Sequence, residues 1–141
     1  MLAAALNEVE LKDYWCDADS MLRGRLGLPM HTGNGAASSA VIYFEHEPGE
    51  HHGMHTDSAE EVVLVLDGEA EVIAGDERMR LTAGGIALVP AVLPHDIRNV
   101  GRGRLRVVGF FSSAAVISHF DQTLAPFGGS MLTLGAPQED R

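Results

Sequence analysis

Four side chains of the kinds that bind transition metals lie close together in the middle of the sequence. The stretch GEHHGMHTDSAEEVVLVLDG, residues 49–68, contains His55 and Asp57, which would share one face of a strand because they are two residues apart. Glu61 opens the apolar run that follows, and His95 comes later, directly after a proline. Imidazole nitrogens and carboxylate oxygens suit Fe, Mn, Ni, Cu or Zn, and two carboxylates are costly to bury without a cation or protons. These residues predict a metal site inside a β-structure.

Short strands are needed to position these side chains, and the sequence contains a series of them. Each candidate strand is rich in β-branched residues or alternates polar with apolar residues, and most are bounded by turn signals. We predict strands over 41–47, 62–66, 69–74, 86–90, 95–100 and 105–111, and a two-residue hairpin loop at 75–76. In the flanks we expect strands at 9–14 and 25–28, and either a short helix or a strand at 115–120. This close spacing is typical of an all-β sandwich or barrel, and 141 residues suit a single domain over 1–141 with the site in 40–111.

One predicted strand lacks the alternation expected of a barrel strand whose outer side faces water. Residues 62–66 are all apolar, so both faces of this strand should be covered. Either the flanking segments or a second copy of the chain would provide the cover. We expect a homodimer, because two-fold dimers are the commonest assemblies of soluble chains.

Charge and cysteine content exclude several classes of partner. The formal net charge is −10, and the ten Lys and Arg residues are scattered, so neither nucleic acid nor a membrane surface is expected to bind. The N-terminal apolar run is too short for a secretory signal or a membrane span. Cys16 is the single cysteine and is expected to be a small buried side chain. A cytoplasmic protein is expected.

The residues around the candidate ligands resemble the double motif of the cupins. That motif reads G-x5-H-x-H-x3-E-x6-G and then G-x5-P-x-G-x2-H-x3-N. The corresponding positions in this chain are Gly49, His55, Asp57, Glu61 and Gly68, then Gly84, Pro90, Val92, His95 and Asn99. Eight of the ten positions match with their spacing intact. Asp57 stands where the family usually has its second histidine, and Val92 stands where it has glycine.

The resemblance implies a double-stranded β-helix, the jelly-roll cupin barrel, with one divalent transition metal ion (Fe, Mn, Zn or Ni) inside it. By position, His55, Glu61 and His95 correspond to three of the four usual ligands, and Asp57 takes the place of the fourth. If Asp57 also binds, two imidazoles and two carboxylates form a hard, negative ligand set. If Asp57 does not bind, the remaining two-histidine, one-carboxylate set is of the kind associated with non-haem Fe(II) and oxygen chemistry.

The remaining histidines allow several interpretations. His51 and His52 either replace the missing histidine of the motif, line the barrel mouth as proton carriers, or are solvated loop residues. His46, at the end of a strand, is expected at the surface. His31 and His119 belong to no motif and are expected to be ordinary structural or surface residues. Asn99 is expected to be a structural hydrogen-bonding residue.

Three functions remain open on the sequence alone. The first is a dioxygenase-like enzyme acting on a small organic molecule, and the second is a non-redox metal-dependent isomerase, lyase or cyclase. The third is a non-catalytic barrel that binds a small molecule. The additional histidines favour an enzyme. Alternation along 105–111, together with Tyr43, predicts a largely apolar lining for the substrate site, and residues 112–141 either cap the mouth or extend a dimer interface.

Overall fold

The computed structural model describes residues 1–135 as two antiparallel sheets of six strands each. The first sheet has the strand order β1-β2-β3-β10-β5-β8, and the second has the order β12-β11-β4-β9-β6-β7. The strands are β1 (Lys12–Cys16), β2 (Asp19–Met30), β3 (Ala40–His46), β4 (His55–Asp57), β5 (Glu61–Asp67), β6 (Glu69–Ala74), β7 (Glu77–Thr82), β8 (Ile86–Val89), β9 (His95–Asn99), β10 (Leu105–Phe111), β11 (Val116–Leu124) and β12 (Gly129–Leu134). Two short 3₁₀ turns lie at Leu6–Glu8 and Thr32–Asn34. Within residues 1–135, no helix has the length and apolar character needed to cross a membrane.

The core lies between the two sheets and is built by alternation along the central strands. In β5, Val63 and Val65 are fully buried, whereas the alternate residues Val62, Leu64 and Leu66 are only half-buried. In β10, Leu105, Val107 and Phe111 point into the same core. The Gly75–Asp76 hairpin loop joins Ala74 to its cross-strand partner Glu77. The predicted all-β jelly-roll barrel is therefore confirmed.

Pairing between distant strands changes the predicted bounds in the flanks. In place of strands at 9–14 and 25–28, β1 begins at Lys12, and β2 is a single strand of 12 residues. β2 is this long because it pairs with β1 on one side and β3 on the other. The segment at 115–120 lies within β11, where it pairs with β4 and β12, so the strand alternative holds there. Cys16 is buried, as expected.

Tyr43 was predicted to line the interior, but its side chain lies on the outer face of β3. The neighbouring Ile42 and Phe44 point into the barrel, so alternation places Tyr43 outside. Its hydroxyl donates to Glu45 Oε2 at 2.6 Å and accepts from Arg106 Nε at 2.7 Å. Tyr43 is nevertheless buried, because the long polar side chains beside it cover the ring.

His46 was predicted at the surface, and this prediction is wrong. The side chain is only 1% exposed, because β1 and β2 cover the end of β3. Its Nδ1 donates to the backbone oxygen of Arg23 at 2.7 Å, and its ring packs edge-on against Tyr14 and Phe44. Gly24 makes room for it, since a Cβ on that residue would overlap the imidazole. The burial lowers the pKa of His46 to about 4 from its ordinary 6.5.

The buried, neutral His46 is expected to make the fold sensitive to acid. Below about pH 6.5 the unfolded chain binds a proton at this ring, whereas the folded chain does so only near pH 4. Stability is therefore lost as the pH falls through this window, by about 1.4 kcal/mol per pH unit. Urea unfolding at about pH 7 and about pH 5 should show that the wild type loses about 2 kcal/mol more than His46→Gln. Equal losses in the two proteins would contradict the assignment.

Candidate metal centre

The four predicted ligands meet inside the barrel. His55 and Asp57 are the two inward residues of β4, and His95 on β9 is the direct cross-strand partner of His55. Asp57 Oδ2 lies 3.1 Å from His95 Nε2 and 3.5 Å from His55 Nε2. Glu61 Oε1, at the start of β5, lies 3.5 Å from His95 Nε2. All four side chains are buried.

Backbone contacts turn both imidazoles so that Nε2 faces the carboxylates. His55 Nδ1 lies 2.7 Å from the oxygen of Gly53, and His95 Nδ1 lies 2.9 Å from the oxygen of Leu93. A carbonyl only accepts, so each Nδ1 donates to it, and Nε2 is the nitrogen that remains to face the carboxylates. Metal-binding histidines are commonly oriented by such a contact on their other nitrogen.

This arrangement calls for a positive charge between the side chains. Asp57 Oδ2 and His95 Nε2 are buried and have no hydrogen-bond partner among the described residues, although they lie only 3.1 Å apart. Burial lowers the pKa of His95, but Asp57 and Glu61 outweigh it and raise this pKa to about 10. Burial raises the pKa of Asp57, but the two imidazoles hold it well below its usual range. The donor set therefore fits a divalent transition metal ion, which His55, Asp57, Glu61 and His95 could hold.

Ser118 fixes the orientation of Asp57. Its Oγ donates to Asp57 Oδ1 at 2.5 Å, which leaves Oδ2 directed at the two imidazoles. Ser118 is buried on β11, paired directly opposite Asp57. Sequence reasoning did not identify Ser118, because the alternation of β11 becomes meaningful only once its register against β4 is known.

The carboxylate of Glu61 occupies space that a glycine on the neighbouring strand leaves open. Burial raises its pKa, and the charge on Asp57 adds to that effect. Its carboxylate lies over Gly109 of β10, where an added Cβ would overlap Oε2. Gly109 is the one residue without a side chain in the strand LRVVGFF, and this was the available sequence signal.

His51 and His52 point in different directions. His52 lines the interior beside His55, with the ring centroids 5.0 Å apart, and its Nδ1 lies 2.8 Å from the Tyr14 hydroxyl. His51 lies outside the centre, with Nδ1 2.7 Å from Asp96 and Nε2 2.9 Å from Asp19. The placement of His51 corrects the expectation that either histidine could line the site. A positive φ of 110° at Gly53 breaks the alternation that strand parity would have given.

Three other residues shape the surroundings of the centre. Phe120 stacks on His55 with a centroid distance of 4.6 Å and an interplanar angle of 14°. Val92, at the glycine position of the motif, has φ 59°, a left-handed conformation that glycine adopts without strain. Asn99 Nδ2 donates to the backbone oxygens of His46 and Gly103, which confirms its structural role.

Comparison with protein families gives one match that covers the whole centre. The sequence profile of the family described as "Cupin domain" matches residues 42–111, which include all four candidate ligands. A comparison with curated proteins gives no significant match.

Solved structures with the same fold include several oxalate decarboxylase chains. The Lactobacillus farciminis oxalate decarboxylase formate complex aligns with 82% of this chain and 34% of its own, at 18% identity and a TM-score of 0.70. The Bacillus subtilis oxalate decarboxylase, which is described with Mn(II) centres, aligns with 64% of this chain and 26% of its own, at 19% identity and a TM-score of 0.61. A Rhodospirillum rubrum cupin-2 domain aligns over 74% and 69%, at 19% identity and a TM-score of 0.64. The alignment thus spans only about a quarter to a third of the decarboxylases, and at these identities it shows a shared fold.

Proposed function

This chain is a cupin, with the family's domain over residues 42–111, and we propose that it is a metal-dependent enzyme acting on a small organic molecule, with dioxygenase-like chemistry. The observation that supports this most strongly is the buried group of His55, Asp57 and His95, whose ligand atoms converge, with the Glu61 carboxylate 3.5 Å from His95 Nε2. Among the described residues, Asp57 Oδ2 and His95 Nε2 lack hydrogen-bond partners. A structural barrel has no reason to bury such a set, because each unpaired acceptor lowers stability.

The proposed ligand set is hard and carries two formal negative charges. It comprises the Nε2 atoms of His55 and His95 and the carboxylates of Asp57 and Glu61, and oxygen-rich sets of this kind favour Fe(II) or Mn(II). A redox-active ion held there would supply one-electron chemistry with O2. The fold shared with manganese-containing decarboxylases supports the same choice of metal.

The chain's own residues would orient and protect the reactants. The backbone contacts of His55 and His95 fix both rings, and Ser118 fixes Asp57. Ile42, Phe44, Ile97 and Phe111 complete an apolar lining that excludes bulk water.

A specific observation favours non-redox isomerase, lyase or cyclase chemistry as the second candidate. His52 lines the metal centre, and its Nδ1 is hydrogen-bonded to the buried Tyr14 hydroxyl at 2.8 Å. A hydroxyl can donate to this nitrogen or accept from it, so the pair could hold or pass a proton beside the substrate.

Metal analysis combined with a turnover assay tests the proposal. The protein is purified without chelators or nickel affinity resin, its metal content is measured, and it is reloaded anaerobically with Fe(II), Mn(II) or Zn(II). Oxygen uptake is then followed with small organic acids and phenols, and products are identified by NMR. Oxygen consumption with iron or manganese supports the dioxygenase-like function. Turnover without oxygen supports the second candidate, and failure to bind any of the three metals overturns both.

We further propose that the chain forms a homodimer through the outer face of its first sheet. Flanking segments leave part of this face open, because Val62 and Leu64 are only half-buried. Three of their four cross-strand neighbours, Ile86, Leu88 and Phe110, are exposed. The exposed side chains on and beside it are Met79, Ile86, Leu88 and Phe110, between 43% and 64% exposed. Large side chains offer about 200 Å² each, so the four contribute on the order of 400 Å² per copy.

A second copy is the occupant that this face fits best. β8 is the outermost strand of its sheet among the described residues and carries Ile86 and Leu88, so a two-fold axis beside it would bring two uncharged apolar faces together. Such contact would bury about 800 Å², and the adjoining half-buried residues bring the total close to the lower limit of about 1,000 Å² for a specific interface.

Leu88→Glu is expected to convert the dimer into a monomer. The new carboxylate would be buried against its symmetry mate, at a cost of several kcal/mol. Sedimentation equilibrium should give twice the chain mass for the wild type and the chain mass for the variant. Ile117→Glu, at a 43% exposed position on the other sheet, serves as the control and should remain dimeric. A monomeric wild type would refute the proposal.

A further inference from the structure

The space beside the candidate ligands is too small for an organic substrate. The cavity bounded by His52, His55, Asp57 and Glu61 has a volume of about 10 Å³, which is close to the space of a single water molecule. A substrate of several carbon atoms must therefore bind in another place first, or displace one of the side chains that line this cavity.

Leu134 separates this small cavity from a much larger one. Its side chain is 5% exposed and lines both the space at the metal centre and a neighbouring cavity of about 440 Å³. β12 is the outermost strand of its sheet among the described residues, and Leu134 is its last residue, paired with Val116 of β11. An edge strand with few partners opens more readily than a central strand.

The larger cavity combines apolar walls with two hydrogen-bond donors. Lys12 reaches it from β1, and His31 reaches it from the turn that follows β2. His31 Nδ1 accepts from the N–H of Gly33 at 3.0 Å, so the neutral ring carries its proton on Nε2. The apolar walls are Leu26, Leu28, Phe127 and Leu132. Small-molecule sites commonly have this volume and this mixture of apolar surface with a few polar groups.

The charges of the lining indicate the class of ligand. An ammonium and an imidazole N–H together match a carboxylate, which accepts several hydrogen bonds. Glu10 is the only acidic residue among the described lining residues, and it would repel a second negative charge. The lining therefore suits a molecule with one carboxylate and an apolar body.

We propose that this cavity binds a small organic monocarboxylate through Lys12 and His31, and that Leu134 is the gate between the bound acid and the metal centre. The role of the gate rests on the proposed function, whereas binding at Lys12 does not depend on it. Lys12 and His31 would contact the acid, whereas Leu134 would act by controlling its access to the metal centre.

The single lysine of the chain allows a direct test of the carboxylate site. Lys12 is the only lysine, so reductive methylation with 13C-formaldehyde labels its ammonium and the N-terminal amine alone and retains both charges. Benzoate should shift the Lys12 methyl signal saturably in the metal-free chain. Benzamide should not shift this signal, and benzoate should not shift the Met1 signal. In the unlabelled chain, Lys12→Gln should weaken benzoate binding by at least about tenfold. An unmoved Lys12 signal, or equal shifts with benzoate and benzamide, would overturn the site.

Two variants at one position test the gate. With Mn(II) bound, the paramagnetic relaxation of benzoate ring protons reports how close the acid comes to the metal. Leu134→Ala should increase this relaxation at least twofold, and Leu134→Phe should decrease it, while both retain the benzoate-dependent shift at Lys12. Thermal melting followed by circular dichroism verifies that each variant is folded. Unchanged relaxation in both folded variants would overturn the gate.

The two measurements separate this inference from the proposed function. If the chain binds benzoate at Lys12 but holds no metal, the carboxylate site stands, and the gate falls with the enzyme. If the metal is bound but Lys12 does not respond to benzoate, the enzyme stands, and its substrate binds elsewhere.

Discussion

Replacing His55 and His95 together by alanine is expected to abolish metal binding while leaving the β-barrel folded. These two residues supply both nitrogen ligands, and each Nε2 is aimed at the carboxylates by a backbone contact on Nδ1. Loss of a residue that merely supports a ligand costs about 10- to 100-fold in metal affinity, so loss of two ligands should cost more than 100-fold. Elemental analysis after loading with Fe(II), Mn(II) or Zn(II) measures the effect.

The folded state should survive because the barrel is held by its aliphatic core. Val63, Val65, Leu105 and Val107 are fully buried and do not depend on the imidazoles. Far-ultraviolet circular dichroism should therefore remain that of a β-protein. His119→Ala, at an exposed position on β11, is the control and should keep its metal. Full metal occupancy in the double variant would show that the imidazoles are not the ligands.

The proximity of the four candidate ligands could be predicted from the sequence because their positions follow from local geometry. His55 and Asp57 are two residues apart on one strand, and such a pair shares a face wherever the strand lies. Glu61 and His95 each open a strand, and matching motif spacing in both halves brings them to one end of the barrel. These relations need no knowledge of strand order.

Features that depend on distant contacts were not available from the sequence. His46 is buried because β1 and β2, more than 15 residues earlier, cover the end of its strand. His52 enters the barrel in place of His51 because Gly53 has a left-handed backbone, which the sequence permits but does not require. The length of β2 likewise depends on its pairing with β1 and β3.

The aspartate at the histidine position of the motif is supported by the surrounding structure. A carboxylate has two oxygens, and here Ser118 takes Oδ1 while Oδ2 remains directed at His55 and His95. If this position had only lost its metal-binding role, no hydroxyl would be needed to hold the carboxylate in place. The position of Ser118 therefore supports the proposal that Asp57 is a ligand in place of the family's histidine.

Gly109→Ala is expected to displace the candidate ligand Glu61 although Glu61 itself is not substituted. An added Cβ would overlap Oε2 of Glu61, so the buried carboxylate must leave its present position, in which Oε1 lies 3.5 Å from His95 Nε2. Alanine in place of glycine in a strand normally gains stability, because it reduces the freedom of the unfolded chain. Here we expect a loss of about 1–3 kcal/mol from overpacking and, since Glu61 is proposed as a ligand, at least about tenfold weaker metal binding.

Gly129→Ala is the matched control, because nothing lies within 4 Å of its added Cβ and it also belongs to a strand. It should leave metal affinity unchanged and stability within about 0.5 kcal/mol of the wild type. Urea unfolding and metal titration of both variants separate two roles of Glu61. If Gly109→Ala loses stability but keeps its metal affinity, Glu61 is a packed carboxylate rather than a ligand. If both fall together, Gly109 leaves its strand open so that the fourth ligand can reach the metal, and the glycine belongs to the metal centre as much as Ser118 does.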